Sequence, residues 1–147
     1  MPAKVLRIAG ATLNQTPLDW QGNTTRIIEA VNEARAQQAD LVCFQELVVT
    51  GYGCEDLHLT EWLAETAWQQ LELILPHCAD LTACITLPLR IQGKTYNGAC
   101  VIHNQQIIGL TLKQNLALDG VHYEPRWFEP WPPGAITTIE RNGRSIQ

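Results

Sequence analysis

A chain of 147 residues with a net charge of −5 is long enough for one domain with its own core and too short for two ordinary ones. Its 46% hydrophobic and 17% charged residues are typical of a globular protein rather than a disordered one. Because no basic cluster occurs, the sequence argues against nucleic acid or an anionic membrane as a main partner.

The N-terminal region lacks the features of a targeting segment. Its first apolar run, at residues 5–9, is shorter than the core of a secretory signal, and no apolar stretch approaches the roughly 20 residues that cross a bilayer. The five cysteines have irregular spacing and no C-x-x-C pair, which indicates free thiols in a reducing compartment. We therefore expect a cytoplasmic protein.

The beginning of the chain follows a β-α-β pattern. Residues 5–9 form a predicted buried strand, and a polar loop over residues 14–22 precedes a helix that Asn23 or Thr24 can cap. Apolar residues then recur at helical spacing to about residue 38. Residues 41–44 form a continuous apolar run, typical of a strand buried on both faces. This order predicts a parallel pair of strands with a helical crossover.

A second helix is predicted after this unit. Asp56 can start it, its apolar face begins with Leu59 and Trp62 and extends to Ile74, and Pro76 marks its end.

Strands follow the second helix. They are predicted over residues 81–87, 99–102 and 107–112, with a polar turn region over residues 90–96. Asn97-Gly98 is a strong local hairpin signal, but residues 92–94 already supply a turn, so we assign the turn there instead.

The end of the chain is predicted to be a covering loop and a hairpin. From Pro125 the sequence is rich in proline and tryptophan, residues 136–139 form a predicted strand, and Asn142-Gly143 a turn after it. A hairpin that stops at Gln147 would expose an open edge. We therefore treat residues 1–147 as a partial domain and expect the rest beyond it.

Glu46 is the first candidate for chemistry. It follows the apolar strand 41–44, and open α/β sheets place their active sites at the carboxyl ends of parallel strands. Flanked by Phe44 and Leu47, its carboxylate would be partly desolvated, as suits a general base. A glutamate on a solvated loop is the alternative.

Lys113 and the segment 123–128 are further candidates. Lys113 ends the apolar run 107–112, where its ammonium could stabilise an oxyanion in the same crevice or extend into solvent. Residues 123–128, Tyr-Glu-Pro-Arg-Trp-Phe, suit a substrate-lining loop and equally an ion-paired loop that packs under a helix.

Together these segments resemble the carbon–nitrogen hydrolase, or nitrilase, superfamily. Residues 44–52, Phe-Gln-Glu-Leu-Val-Val-Thr-Gly-Tyr, match its glutamate motif, with Gln45 where proline is common. Lys113, 67 residues after the glutamate, matches the family's lysine. Residues 53–57 and 120–128 are similar to segments of the glutaminase domain of glutamine-dependent NAD synthetases. The resemblance extends from about residue 4 to the end of the chain.

The resemblance implies the first part of an α-β-β-α sandwich, an α/β fold with a mixed sheet flanked by helices. It also implies a Glu-Lys-Cys triad. Glu46 would deprotonate the cysteine and later the water that hydrolyses the thioester, and Lys113 would stabilise the tetrahedral oxyanion.

Four further residues are implied to bind or position the substrate. Glu124 matches a second family carboxylate, which would position Lys113 or the substrate, and Tyr52 and Tyr123 would shape the pocket. Asp119 stands where many relatives have a glutamine-contacting tyrosine, so the amide substrate stays open.

The family's nucleophilic cysteine follows the lysine by several tens of residues, and this chain has no cysteine after Cys100. Its Cys-Glu-Asp sequence at residues 54–56 lies on a predicted turn within the Gly-Tyr segment, which makes Cys54 a poor candidate. We expect the chain alone to be inactive. Cys54 with His58, and His77 with Cys78, lack further ligands at a spacing that closes a zinc site, so no metal is expected.

The function implied by the resemblance is a glutamine amidohydrolase. It would release ammonia from L-glutamine for the amidation of deamido-NAD by a synthetase domain of the same protein, in an expected homo-oligomer. The glutaminase part would need no cofactor, whereas ATP and Mg²⁺ would serve only the synthetase domain outside this chain. A stand-alone nitrilase-type amidase and a truncated, non-catalytic interaction module are the alternatives.

Overall fold

Five strands form a mixed sheet that places several strand ends at one edge. The structure is a computed structural model that describes residues 5–147, and the four residues before them lie outside it. The strands, in the order in which they pair, are β1 (Ile8–Ala11), β2 (Leu41–Phe44), β3 (Thr82–Ile91), β4 (Lys94–His103) and β5 (Gln106–Leu112). The first three pair in parallel, and β4 is antiparallel to both β3 and β5. The carboxyl ends of β2 and β5 therefore lie at the same edge.

Two helices cover one face of this sheet. They are α1 (Trp20–Ala36) and α2 (Glu61–Ile74), and their apolar faces join one continuous core with the sheet. Burial alternates along β3, where Ala83, Ile85 and Leu87 are buried while the intervening residues are half-buried. Because side chains alternate between faces of a strand, the helices cover one face and leave the other partly open.

The predicted β-α-β unit is confirmed, with shifted boundaries. Strand β2 has the predicted bounds, and β1 pairs with it in parallel, although β1 begins three residues later than predicted. Helix α1 begins before Asn23, because Asp19 is its N-cap and accepts a hydrogen bond from the N–H of Gly22 at 3.1 Å. Asn23 is instead buried inside the helix, where its side-chain amide donates to the carbonyl of Thr16 at 2.8 Å.

The second helix differs more from its prediction. Residues Tyr52–Leu59 form 3-10 turns, and α2 begins after them at Glu61 rather than at Asp56. Leu59 and Trp62 are about half exposed, so the predicted apolar face was wrong at its beginning. Trp68 is buried in their place. When apolar residues are frequent, more than one face of a helix can be apolar, and only packing decides which face is buried.

The β3–β4 hairpin turns where the sequence predicted. Gln92 and Gly93 form the turn with φ values of 50° and 81°, the left-handed pair that a two-residue hairpin needs. Asn97 lies within β4, opposite Pro88. Most of the region 90–96 is strand rather than polar turn, because cross-strand pairing continues to Ile91 and Lys94.

A second, two-stranded sheet ends the described chain. Strands β6 (Ile139–Arg141) and β7 (Arg144–Ile146) pair around the predicted turn at Asn142-Gly143. The strand predicted over residues 136–139 begins only at its last residue, and Ile136 is exposed. The N–H of Leu110 donates to the carbonyl of Gln147 at 2.8 Å, which places the hairpin beside β5.

The five cysteines are free thiols. Cys54, Cys78 and Cys100 are buried, whereas Cys43 and Cys84 are half-buried cross-strand partners on the open face of the sheet. Within residues 5–147, none of the helices combines the length and apolar character that crossing a bilayer would require.

Candidate active site

Glu46 lies just beyond the carboxyl end of β2, where the chain bends sharply over β3. The hydroxyl of Thr86 donates to the carbonyl of Gln45 and accepts from the N–H of Val48 at 3.0 Å. Leu47 takes a left-handed φ of 51° between these two bonds. The bend therefore fixes the backbone on both sides of Glu46, whose side chain is 36% exposed.

Gln45, which stands where proline is common in the family, links two loops. Its side-chain amide accepts from the N–H of Leu13 at 3.0 Å and donates to the carbonyl of Leu13 at 2.6 Å. This two-way pairing ties the loop after β1 to the bend after β2. The departure from proline thus supplies its own restraint on the residue before Glu46.

Gly51 allows the turn that carries Tyr52. Its φ is 78°, and an added Cβ would lie 2.9 Å from the backbone nitrogen of Pro17. Both the left-handed backbone and the close approach require glycine. The N–H of Leu18 donates to the carbonyl of Thr50 at 3.0 Å, which holds the loop before α1 against this turn.

Lys113 follows β5 and reaches the same edge of the sheet. Its backbone N–H donates to the carbonyl of Asn97 at 2.8 Å, and its carbonyl accepts from the N–H of Trp131 at 3.0 Å. Its ammonium lies 2.5 Å from Oε1 of Glu46. The same ammonium lies 3.0 Å from Oε1 and 2.9 Å from Oε2 of Glu124. The Lys113 ammonium therefore joins the carboxylates of Glu46 and Glu124.

Glu124 is fully buried, and donors surround its carboxylate. Besides the Lys113 ammonium, Oε2 accepts from the N–H of Ala117 at 2.7 Å and Oε1 from the hydroxyl of Tyr52 at 3.2 Å. A buried carboxylate is stable when donors and a cation satisfy it in this way. Glu124 is therefore held by the backbone, by Lys113 and by Tyr52 together.

These contacts explain the pKa shifts of Glu124, Lys113 and Tyr52. Burial raises the pKa of the Glu124 carboxyl, but the Ala117 N–H and the Lys113 ammonium outweigh burial and hold the pKa below its usual value. Burial lowers the pKa of Lys113, and hydrogen bonds to both glutamates outweigh that effect and raise it. Burial, followed by the charge of Glu124, raises the pKa of Tyr52 to about 12. At neutral pH Lys113 is thus charged and Tyr52 is a neutral donor.

The structure separates the remaining two predicted residues from this cluster. The side chain of Asp119 is 90% exposed, and its Oδ1 lies 3.7 Å from Nδ1 of His122. Tyr123 is half exposed, with its ring packed on Trp127 at a centroid distance of 4.9 Å. Within residues 5–147 neither forms a side-chain hydrogen bond or an ion pair with Lys113 or Glu46.

Cys54 has the surroundings of an inert thiol. Its buried Sγ lies 3.4 Å from the carbonyl oxygens of Thr50 and Gly51, and burial raises its pKa. A reactive thiolate needs a nearby base or cation, and here the partners are neutral carbonyls. Within residues 5–147 none of the five thiols forms a hydrogen bond with Glu46 or Lys113.

The sequence did not predict the partners in two groups of contacts around the site. The carboxylate of Asp56, taken as a helix start, accepts two bonds from the Arg126 guanidinium at 2.6 and 2.7 Å and a third from the Trp127 indole N–H at 3.0 Å. Leu47 is buried against Trp127 and Phe128. The mixture of charged and aromatic residues at 123–128 was the sequence signal, but their partners are distant in the chain.

No group of three or more His, Cys, Asp or Glu side chains lies close enough to hold a metal ion in the part of the chain that the structure describes. The three charged groups of the site instead form a hydrogen-bonded acid–base cluster. Its buried carboxylate fixes the ammonium, while the half-exposed carboxylate of Glu46 can reach a reacting group. Such an arrangement suits proton transfer beside a stabilised oxyanion.

Comparisons with known proteins identify the family of this chain. Residues 7–142 match the carbon–nitrogen hydrolase family. The glutamine-dependent NAD(+) synthetase of Dictyostelium discoideum is 35% identical over 140 residues, which are 92% of this chain and 20% of that protein. The chain thus spans about a fifth of the length of the curated relatives that it matches.

Solved structures show the same fold. A glutamine-dependent NAD(+) synthetase from Cytophaga hutchinsonii superposes with a TM-score of 0.93 and 46% identity, over 96% of this chain and 24% of that one. An amidase from Nesterenkonia sp. AN1 superposes with a TM-score of 0.74 over 95% of this chain and 53% of that one, and its 21% identity indicates a shared fold alone. The predicted nitrilase-like α/β fold with a mixed sheet is confirmed. This chain belongs to the carbon–nitrogen hydrolase family.

Proposed function

We propose that this chain is the first part of a glutaminase domain in a glutamine-dependent NAD synthetase. The contact between Lys113 and Glu46, 2.5 Å from nitrogen to oxygen, carries the proposal, because it brings together an acid–base pair 67 residues apart in the sequence. The similarity to NAD(+) synthetases over nearly the whole chain supports the choice of glutamine as the amide.

In the proposed reaction Glu46 is the general base. The bond from Lys113 uses Oε1 of Glu46, and Oε2 accepts no hydrogen bond within residues 5–147. This second oxygen can take the proton of a cysteine thiol, whose thiolate then attacks the carboxamide carbon. Glu46 then gives this proton to the amide nitrogen, which leaves as ammonia as the intermediate collapses to a thioester. Ionised again, Glu46 deprotonates the water that attacks the thioester, and the proton returns to the departing thiolate.

Lys113 would stabilise the oxyanion formed at each attack. Its ammonium is held by two carboxylates, one of them buried, so it stays charged and in place without reorganisation. Glu124 would act through this placement rather than by proton transfer, because its oxygens already accept four contacts from Ala117, Tyr52 and Lys113. We assign the nucleophile to a cysteine outside these 147 residues.

The other parts of the proposed reaction concern the longer protein. A synthetase domain would use the ammonia to amidate deamido-NAD, with ATP and Mg²⁺ bound in that domain. Tyr52, through its contact with Glu124, and the more exposed Tyr123 would border the substrate. Asp119, exposed and apart from the cluster, would contact the substrate only through a change in its loop.

The test is made in the natural protein that contains this sequence. Glu46→Gln and Lys113→Ala should each lower glutamine-dependent ammonia release by at least about a hundredfold, since each removes a group used in the transition state. Synthesis driven by added ammonia should persist. Glu129→Gln, which alters an exposed ion pair with Lys94, is the matched control and should change neither rate.

Retention of glutaminase activity in either site variant would refute the assignment. The 147-residue chain alone should release no ammonia from glutamine. Release that disappears on Cys54→Ala would show that the nucleophile lies within the chain after all.

A further inference from the structure

The segment that carries Glu124 is held to the rest of the protein at two places. On one side its aromatic residues Trp127 and Phe128 pack on Leu47, the residue after Glu46. On the other side Arg126 and Trp127 meet Asp56 in the 3-10 turns of residues Tyr52–Leu59, which also carry Tyr52. The two turns that meet at Asp56 are therefore the ones that supply Tyr52 and Glu124 to the site.

The bond between Asp56 and Trp127 differs in kind from the ion pair beside it. Arg126 and Asp56 are both more than half exposed, and exposed ion pairs stabilise proteins little. Trp127, in contrast, is only 8% exposed, and Oδ1 of Asp56 is the acceptor of its indole N–H. Without that oxygen the indole N–H of a largely buried side chain would lose the acceptor that it has in the described residues, which is costly.

A shift of Trp127 would reach Glu124 directly through the backbone. The N–H groups of Trp127 and Phe128 both donate to the carbonyl of Glu124 at 2.9 Å, so the indole and the carboxylate share one rigid turn. The carboxylate in turn holds the N–H of Ala117 and the ammonium of Lys113. A change at Asp56 can thus pass through Trp127 to the cluster that holds Lys113.

We propose that Asp56 is a positioning residue that places Glu124, and through it Lys113, by accepting the indole N–H of Trp127. Arg126 supports the carboxylate but is secondary, because it is exposed. The Arg126 and Trp127 donors together lower the pKa of Asp56 to about 2, so the acceptor stays ionised across the neutral range. The catalytic meaning of this placement rests on the proposed function, whereas the placement itself can be measured without activity.

The test follows two properties of the cluster in the natural protein that contains this sequence. The hydrogen-exchange rate of the Ala117 amide reports its bond to Glu124, and the NMR titration of the Glu124 carboxyl carbon reports the low pKa that this bond and Lys113 maintain. Asp56→Ala should speed Ala117 exchange by about tenfold or more and raise the Glu124 pKa. The amide of Leu110, bonded to Gln147 in the sheet region, should be unchanged.

Three variants separate the indole bond from the ion pair. Asp56→Asn keeps an oxygen for the indole and should retain most of the Ala117 protection, and Arg126→Ala should do the same. In Trp127→Phe the indole donor is gone, so adding Asp56→Ala should change Ala117 exchange far less than it does in the original chain. Glu129→Ala, in the exposed pair with Lys94, is the matched control and should have no effect.

Each outcome decides the proposal. If Asp56→Ala leaves Ala117 exchange and the Glu124 pKa unchanged, or speeds the exchange of Ala117 and Leu110 equally, Asp56 contributes only to general stability and the proposal is wrong. If Asp56→Ala does not fold, rescue of folding by Trp127→Phe supports the proposal, and failure of that rescue overturns it. None of these results depends on whether glutamine is the substrate.

Discussion

Removal of the Glu124 carboxylate should destabilise the chain in a way that its contacts allow us to estimate. In Glu124→Ala the N–H of the half-buried Ala117 loses its acceptor, which costs about 1 kcal/mol, the lower end of the range for a buried donor. Breaking a buried ion pair costs roughly 3–5 kcal/mol, but Lys113 is 27% exposed and keeps Glu46, so the lower end of that range applies. Together these two costs should lower the free energy of unfolding by about 4 kcal/mol.

Urea denaturation followed by tryptophan fluorescence measures this change. The dependence of the unfolding free energy on urea should stay the same, since the surface exposed on unfolding hardly changes. Glu124→Gln keeps one acceptor oxygen and should lose less stability than Glu124→Ala. Glu129→Ala, exposed in the same loop, should stay within about 0.5 kcal/mol of the original chain.

The hydroxyl of Tyr52 provides a second measurement on the same variants. Its pKa of about 12 should fall when Glu124 is replaced, because the negative charge and the hydrogen bond are removed. It should remain above the ordinary value of 10.0, because burial is the largest cause of the shift and persists. Tyrosinate absorbance, with Tyr52→Phe to assign the signal, gives the pKa. A loss of stability below about 1 kcal/mol together with an unchanged Tyr52 pKa would refute the account of Glu124.

Two further variants test the packing around the site. Burial lowers the pKa of His58 from 6.5 to about 4. The Tyr52 backbone opposes this shift, although neither ring nitrogen of His58 forms a hydrogen bond within the described residues. The free energy of unfolding should therefore be fully retained above pH 6.5 and fall by up to roughly 3 kcal/mol as pH falls to 4. In His58→Phe that dependence should disappear from urea titrations, and its persistence would count against His58. Gly51→Ala should lower the stability of the protein more than Gly93→Ala. Both glycines have a positive φ near 80°, but only Gly51 also lies close to the backbone of Pro17. If both variants lower the melting temperature equally, the close approach to Pro17 has no steric cost.

Local patterns in the sequence predicted most of the strands and the order of elements. The apolar run at residues 41–44 is a strand with the predicted bounds, and the hairpin turn lies where Gln92 and Gly93 precede Asn97. These features depend on neighbouring residues, so the sequence carries them directly. The start of α1 was missed because Leu18 adopts a left-handed φ of 64° to reach Thr50, a contact between distant segments.

The site, too, could be predicted from the sequence only in part. Glu46 and Lys113 could be identified from their motifs and their positions at strand ends, and Glu124 from its motif alone. The meeting of Glu46 and Lys113 could be expected, because strands that run in the same direction through one sheet end at the same edge. That Tyr52 bonds Glu124 while Asp119 lies apart could not be expected, since both stand on irregular turns without a repeating geometry.

The sequence by itself determined the family and the identity of the chemical groups, because motif residues and strand periodicity are local properties of the chain. Only the tertiary structure decided which carboxylate is buried and which stays accessible. Glu124 is enclosed by Ala117, Tyr52 and Lys113, whereas Glu46 remains 36% exposed, although both are glutamates beside aromatic or apolar neighbours in the sequence. The difference arises from segments that are far apart in the chain and meet only when the sheet has formed.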